Sequence, residues 1–564
     1  MVPVAKPENI TLVEEPWFWL FIAIINQLTL SFSLYTCLVS FPAQCFSDLK
    51  SPPPPHTPHT SHTDPLQSRD LTLYPRMTVA YGTAGFREHS SLLPTVVERV
   101  GMLAALRSRF LNGQYVGVMI TASHNPPEDN GAKIVDPMGE MFVQSWECHA
   151  TELANAADPE EVLSRLYQTF NVDPTSIARV VIGRDTRASG PLLVERLKAG
   201  LGDAELVDIG VVTTPQLHYV TRAKNQPEFG LPTLAGYYEK HLEALSALGS
   251  PTARVTVDCA NGVGALRLGE LSGSLPFPLT IVNASEDPLQ LNVGCGADFV
   301  KTTQALPSGV SPEPNCLYAS FDGDADRVVF YYVDEANTFH LLDGDKIATL
   351  AADTLKLYIP EGTHLGVVQT AYANGASTAY LNSQGIPVVC TPTGVKHLHH
   401  AAVEFDVGVY FEANGHGTVI FNPSFIHGLD PTVGHNATII EFNKLVNQAV
   451  GDAISDLLMV LTILHLRKWT PEQWDSCYTD LPNKLLKTKV KDRSLFTTTD
   501  AERRLLTPPE LQPQLDALMT EIGGRTFVRA SGTENVVRIY AEAPTQEQVD
   551  TLASRVEALL SIYN

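Results

Sequence analysis

From Val79 onward, short runs of β-branched and aromatic residues alternate with longer stretches whose apolar positions recur at helical spacing. That is the pattern of α/β domains. Strands are expected over residues 116–120, 179–182, 254–259, 317–321, 328–333, 365–370 and 407–411. Three of them run into polar loops: Thr121-Ala-Ser-His-Asn-Pro-Pro127, Asp322-Gly-Asp-Ala-Asp-Arg327 and Glu412-Ala-Asn-Gly-His-Gly417. Ligand chemistry in open α/β sheets gathers at strand ends, so three similar units sharing one cleft are expected. Asp343 is placed to cap a helix running toward Leu357. After Asn443 the pattern changes: an apolar helical segment to Lys468, then a polar, proline-bearing one to Pro513. The chain closes with strands over 525–529 and 536–542 and a helix opened by Thr545-x-x-Gln548, with Val549, Leu552, Val556, Leu559 and Leu560 on one face. This predicts a small, separate α+β domain.

The beginning of the chain follows another pattern. Residues 16–47 carry no charge, and 51–63 form a Pro/His/Thr-rich low-complexity stretch. Such a stretch cannot pack a core. Residues 1–70 are therefore read as an extension outside the catalytic fold, with membrane contact possible only through 17–46. The 564 residues are 44% hydrophobic, enough for several real cores, and 39 basic against 62 acidic residues leave a net charge of −23. That balance argues against sequence-independent nucleic-acid binding, and an anionic substrate must be met by local basic clusters. Eight cysteines without a CxxC pair fit a reduced, cytoplasmic protein with no structural zinc.

Each loop suggests a chemistry. Ser123, in a loop after a strand, is expected to present its hydroxyl at the rim of a sheet, with His124 and Lys133 near enough in sequence to move protons. No G-x-S-x-G elbow surrounds it, as a hydrolase serine would require. Asp322, Asp324 and Asp326 alternate, so extended backbone would set three hard oxygen ligands on one face, a set suited to magnesium. An EF-hand is excluded, because Arg327 stands where the loop needs glycine and Val333 where it needs glutamate. Arg327 would supply counter-charge for a phosphate. Arg529-Ala-Ser-Gly-Thr-Glu-Asn535, with Arg538 beyond it, offers backbone N–H groups, hydroxyls and bidentate guanidinium donors to a phosphate without a P-loop. Glu412 and Asn414 offer the acceptor and donor that sugar hydroxyls need. Two further motifs read as structural: the histidines of 393–400, and Asn261-Gly-Val-Gly264, a tight strand-to-helix turn.

These loops, in this order, resemble the α-D-phosphohexomutase superfamily. The resemblance runs from Tyr81-Gly-Thr-Ala-Gly-Phe-Arg87 to the end of the chain and includes 121–133, 211–216, 322–327, 412–417 and 529–538. The Glu-Ala-Asn-Gly-His-Gly form of the third loop points to its N-acetylglucosamine branch. The resemblance implies three similar mixed α/β domains (71–222, 223–338, 339–448) and a smaller C-terminal α+β domain (449–564) around a central cleft. It implies a monomer that moves phosphate between the 6- and 1-positions of N-acetylglucosamine through a phosphoserine and a 1,6-bisphosphate. On that analogy Ser123 carries the phosphate, and Asp322, Asp324 and Asp326 hold one magnesium ion together with a phosphoserine oxygen. Glu412, Ala413 and Asn414 contact the sugar, and Arg529, Ala530, Ser531, Gly532, Thr533 and Arg538 the distal phosphate. Arg87, His124, Lys133 and Arg327 serve proton transfer and charge stabilisation. A glucose or N-acetylglucosamine 1,6-bisphosphate is implied as activator. Asn535 departs from the acidic residue expected there. The rival readings are a glucose or mannose phosphomutase of the same superfamily, and a membrane-tethered protein that keeps the fold without catalysis.

Overall fold

The structure, a computed structural model, describes residues 78–531 and 535–563. The N-terminal extension, with its membrane reading for 17–46, lies outside the described residues, as do Gly532 and Thr533. Among the described residues, no helix is long and apolar enough to cross a membrane.

Three mixed sheets follow one wiring. In the first, the central strand Tyr115–Ile120 lies parallel to Arg179–Arg184 on one side and antiparallel to Asp129–Val135 on the other, with Glu205–Val211 and Phe86–His89 at the edges. In the second, Leu317–Phe321 lies parallel to Val255–Asp258 and antiparallel to Val328–Val333. In the third, Val407–Phe411 lies parallel to Leu365–Thr370 and antiparallel to Gly417–Phe421. The Ser123 loop, the Asp322 loop and the Glu412 loop each join a central strand to its antiparallel partner. They therefore occupy one topological position in three copies of a unit.

The central strands are buried along most of their length, and all of 317–321 and 407–411 is buried. Strands covered on both faces read as continuous apolar runs, which is why the sequence announces them so clearly. Asp343 caps helix Gly344–Leu355 by accepting hydrogen bonds from Asp345 N and Lys346 N. Gly262 caps helix Val263–Ser272, the tight turn expected.

The fourth unit pairs Asn483–Lys489, Val536–Glu542 and Arg525–Ala530 in one antiparallel sheet, with helices Leu511–Ile522 and Gln546–Leu560. It has a core of its own, built on Leu515, Val528, Ile539, Leu552 and Val556. Helix Ala453–Arg467, which the expected boundary at residue 449 assigns to this unit, packs elsewhere. It lies in the core shared by the second and third sheets, beside Phe321, Val367 and Val409. Cover from several sides accounts for its apolar character around most of its surface.

Candidate active site

Ser123 is not at an open rim. It is fully buried, and its backbone takes a left-handed φ of 52°, which costs a non-glycine residue about 1–2 kcal/mol. A clamp holds it there. Arg187, itself buried, donates through Nη2 to the carbonyls of Ser123 (2.9 Å) and Asn125 (2.8 Å), and through Nη1 to those of Pro126 (2.5 Å) and Asp129 (2.8 Å). Its Nε bonds Asp185 Oδ2 at 3.1 Å. The same carboxylate oxygen accepts from Thr121 Oγ1 (2.7 Å), and that hydroxyl oxygen accepts from Ser123 N (3.0 Å). From the second unit, Asn292 Nδ2 donates to Ser123 O at 2.9 Å. Gly323 comes so close that a Cβ there would lie 2.5 Å from Ser123 O. The second unit thus buries the serine that the sequence left exposed.

Ser123 Oγ donates to Asp322 Oδ2 at 2.5 Å. The three aspartates do converge, but through a turn rather than an extended run. Ala325 has φ 57° and bonds back to Asp322 O, and Asp322 Oδ1 accepts from Asp326 N and Arg327 N. One ligand atom from each carboxylate fits within 4.8 Å of the others, and among the described residues no other group of acids, histidines or cysteines does so. The three histidines of 393–400 all lie on helix Val395–Ala402. Asp324 Oδ1 is buried and accepts no hydrogen bond. An orphaned oxygen in a buried three-carboxylate cradle fits a hard, oxygen-seeking cation such as magnesium.

Cations crowd this cradle. Lys133 Nζ lies 3.1 Å from both Asp324 Oδ2 and Asp326 Oδ2, and Arg327 Nε is 3.8 Å from Asp322 Oδ2 and 3.7 Å from Asp326 Oδ1. Thr214 Oγ1 donates to Asp324 Oδ2 at 2.6 Å, and His416 Nδ1 stands 3.2 Å from Asp326 Oδ1. Burial and the neighbouring Asp326 and Asp324 raise Asp322 well above the usual carboxylate range. Burial raises Asp326 too, but Lys133, His416 and Arg327 outweigh it and hold it well below that range. The proton carriers differ from expectation. Burial, with Arg327 and Arg87, pushes His124 down to about 3. Lys133 is not depressed by its burial, because Asp324 and Asp326 more than compensate and raise it. Arg87 sits beside the serine loop, its Nη1 3.5 Å from Asn125 Oδ1.

The sugar loop and phosphate hairpin are joined by side chains. Glu412 Oε1 accepts from Gly394 N at 3.3 Å, and Asn414 Nδ2 donates to Glu412 Oε2 at 3.3 Å. Ala413 lies between them, partly exposed. Arg529 and Arg538 are directly opposite across the hairpin, so their side chains share one face. Arg529 Nε donates to Tyr372 OH (2.8 Å) and Nη1 to Glu502 Oε1 (3.3 Å), while Glu502 Oε2 accepts from Thr393 N (2.9 Å) and Thr393 Oγ1 (2.5 Å). Ala530 ends the first strand, and Ser531 is buried at its end, its carbonyl held by Arg493 Nη1.

Sequence reasoning missed Arg187, Asp185, Asn292 and Glu502 as parts of this site, and gave no role to Thr214 and His416, which lie inside motifs it did single out. Gly183-Arg-Asp-Thr-Arg187 follows strand 179–182 directly, the same strand-end signal that singled out the other loops. Glu502 had no such signal, since it reaches Arg529 only through the fold.

Three copies of one α/β unit presenting an acid cradle, a buried serine and a sugar loop, with paired arginines on a small fourth unit, are the arrangement of the α-D-phosphohexomutase superfamily. Family descriptions match in chain order: phosphoglucomutase/phosphomannomutase domain I over residues 102–161 and 155–230, phosphoacetylglucosamine mutase AMG1 domain II over 241–329 and domain III over 343–469, and the phosphoglucomutase/phosphomannomutase C-terminal domain over 485–559. The chain belongs to the phosphoacetylglucosamine mutase family. It is 49% identical to the phosphoacetylglucosamine mutase of Candida albicans over 86% of this chain and 96% of that one, and 48% identical to that of Mus musculus over 86% and 94%. A crystal structure of N-acetylglucosamine-phosphate mutase in its substrate complex superposes with a TM-score of 0.83 at 49% identity, covering 86% of this chain and 97% of that one. The Aspergillus fumigatus N-acetylphosphoglucosamine mutase, in complex with GlcNAc-6P and magnesium, gives 0.83 at 50% identity over 86% and 96%.

Proposed function

We propose that the chain interconverts N-acetylglucosamine 6-phosphate and N-acetylglucosamine 1-phosphate, with Ser123 as the phosphoryl carrier. The observation that carries this reading is the Ser123 hydroxyl, fixed in a strained backbone 2.5 Å from Asp322 Oδ2 at the edge of a three-carboxylate cradle. Phosphoryl transfer asks for positioning and charge stabilisation more than for covalent chemistry. Asp322, Asp324 and Asp326 would hold magnesium, which when bound supplies positive charge against the phosphoryl oxygens. Arg327, Lys133 and Arg87 add cationic charge where negative charge builds up in transfer.

In the forward direction phosphoserine 123 gives its phosphoryl group to the free 1-hydroxyl, making the 1,6-bisphosphate. That intermediate turns over, and the 6-phosphoryl group returns to Ser123 Oγ, releasing the 1-phosphate. Glu412 and Asn414 hold sugar hydroxyls in both orientations. Arg529 and Arg538, with Ala530, Ser531, Gly532 and Thr533 of the hairpin, hold whichever phosphate is not reacting. Burial and the two guanidiniums that hold His124 neutral also make it a weak base in this state, while Lys133 stays charged and is placed to stabilise charge. A sugar 1,6-bisphosphate primes unphosphorylated Ser123. In support, a serine-to-alanine variant of the Aspergillus fumigatus enzyme has been solved in complex with glucose 1,6-bisphosphate. We read the protein as a cytoplasmic monomer; the six described cysteines, all free thiols, fit a reducing compartment.

Mass spectrometry of the purified protein should find phosphate on Ser123. Ser123→Ala should abolish both that phosphate and turnover, and full-speed isomerisation by the variant would overturn the reading. Turnover of the three hexose 6-phosphates separates N-acetylglucosamine from glucose and mannose as substrate.

A further inference from the structure

Away from the catalytic cleft, a cavity of about 770 Å³ opens where helices Thr214–Asn225, Leu234–Leu248 and Gly434–Leu445 meet strand Gly417–Phe421. That volume suits a small organic ligand. Its walls are largely apolar, with Leu231, Val403, Ile420, Ile426 and Ile440 among them. Two cations share one aromatic ring at its edge: Arg222 Cζ lies 4.1 Å and Lys240 Nζ 3.6 Å from the Phe229 centroid. Their acceptors are all neutral. Arg222 bonds Gln226 Oε1 and Gln448 O, and Lys240 bonds Phe229 O. A third cation, Lys444, is already paired with Glu441 at 2.7 Å. Four glutamates line the cavity (Glu140, Glu228, Glu239 and Glu243), but all are exposed, and none is within ion-pair distance of Arg222 or Lys240. Glu140 and Glu228 act on Arg222 only at longer range; partly desolvated like charges without a contacting counter-ion are costly, and an anion between them relieves both. The strain shows in Lys240, which burial, with Arg222 and Lys444, pushes down to about 7.

We propose that this cavity is a second, regulatory site for an amphiphilic organic anion, with a carboxylate or phosphate head on Arg222 and Lys240 and an apolar body against Ile420 and Ile440. Its occupancy has a route to the catalytic loops. Gln448, whose carbonyl takes Arg222, also holds Val419 O and Phe421 N with its side chain. The same segment continues to Gly451, where a Cβ would meet Gly417 and Asp326 O, and Ala453 N bonds Ala325 O at 3.0 Å. The sugar loop and the aspartate loop therefore lie directly behind it.

The probe is 8-anilinonaphthalene-1-sulfonate, titrated by fluorescence into the full chain. One molecule should bind per chain, and saturating N-acetylglucosamine 6-phosphate should not displace it. Lys240→Gln and Arg222→Gln should each weaken binding about tenfold, as should replacing the probe by uncharged N-phenyl-1-naphthylamine. Ile440→Trp, which keeps both cations, should block the site by filling it. Decanoate should compete where equimolar inorganic phosphate does not. In the wild type, kcat/KM should change with the same half-saturation as the fluorescence, and in Lys240→Gln it should not. Unchanged binding in the variants, equal binding of the uncharged probe, displacement by substrate, competition by phosphate alone, or an activity indifferent to saturation would each overturn the proposal. Binding is read without turnover, so its failure is distinct from failure of the phosphoryl chemistry.

Discussion

The serine loop and the phosphate hairpin face the same chemistry and are held in opposite ways. Arg187 spends its guanidinium on four backbone carbonyls of the serine loop, Asp185 backs it, and Asn292 locks the loop from the second unit. Arg187, Asp185, Thr121 and Ser123, the centre of that clamp, are all buried. The hairpin instead belongs to a unit with its own core, tied to the third unit mainly by polar contacts: Arg529 to Tyr372, Glu502 to Thr393, and Arg525 to the carbonyls of Ala371 and Ala373. A small aromatic contact of Phe527 and Tyr540 with Ala371 completes the junction. A nucleophile that serves both half-reactions must not move, while a grip that releases one phosphate and takes the other has to give. Polar ties can be exchanged for substrate, and a buried clamp cannot.

Arg187→Met should break this contrast most severely. It leaves Asp185 buried without its partner, at a cost to stability of about 3–5 kcal/mol. Thermal unfolding should report that loss. Slackening of the Ser123 backbone should lower kcat by about 100-fold in whatever protein remains folded. Arg187→Lys should not restore it, because one ammonium cannot span four carbonyls. A variant with wild-type melting and turnover would show the clamp to be dispensable. Arg529→Met should act on the other side of the comparison. Losing a charge-assisted contact worth about 1.5–3 kcal/mol should raise KM some ten- to a hundredfold while moving kcat and the melting temperature far less. A fall in kcat alone would contradict its role as a grip. Glu502→Gln keeps an acceptor for Thr393 but removes the charge that orients Arg529. It should raise KM about fivefold, the effect of roughly 1 kcal/mol, and steady-state kinetics would show it.

The last contrast is one of pH. His218 and His241 are pushed down, mainly by burial, from 6.5 to about 4 and about 3. Below pH 6.5 the unfolded chain binds protons there that the folded chain refuses. Stability is therefore complete above 6.5 and falls as pH is lowered, by up to about 1.4 kcal/mol per pH unit for each ring. Residues 470–564 contain no histidine. Hydrogen exchange at pH 5, corrected for intrinsic rate and compared with pH 7, should thus lose protection in helices Thr214–Asn225 and Leu234–Leu248 before it does in the hairpin. Equal loss in both regions would remove this distinction.

Most of the scaffold could be read from the residues. The strands over 317–321, 328–333, 365–370 and 407–411 stand where the apolar runs put them, because burial on both faces leaves an unbroken signal. The aspartate cradle was found for a partly mistaken reason. Its spacing suggested one face of a strand, but the left-handed Ala325 folds the segment into a turn. What stayed hidden depends on contacts distant in sequence. Ser123 is buried by Asp322, Asn292 and Gly323, and Arg529 is oriented by Glu502 and Tyr372, so neither environment exists until the units meet. Lys133 shows the same limit. Burial alone would have depressed it, and only its two carboxylate neighbours reverse the sign.

The repeated wiring of the three sheets has a further consequence. Because the serine, the acids and the sugar contacts all hang from equivalent hairpins, each is carried by a sheet of its own and meets the others only at the loop tips. New substrate preferences in such a molecule can arise by exchanging a handful of residues in a single socket, with no redesign of the frame that carries it.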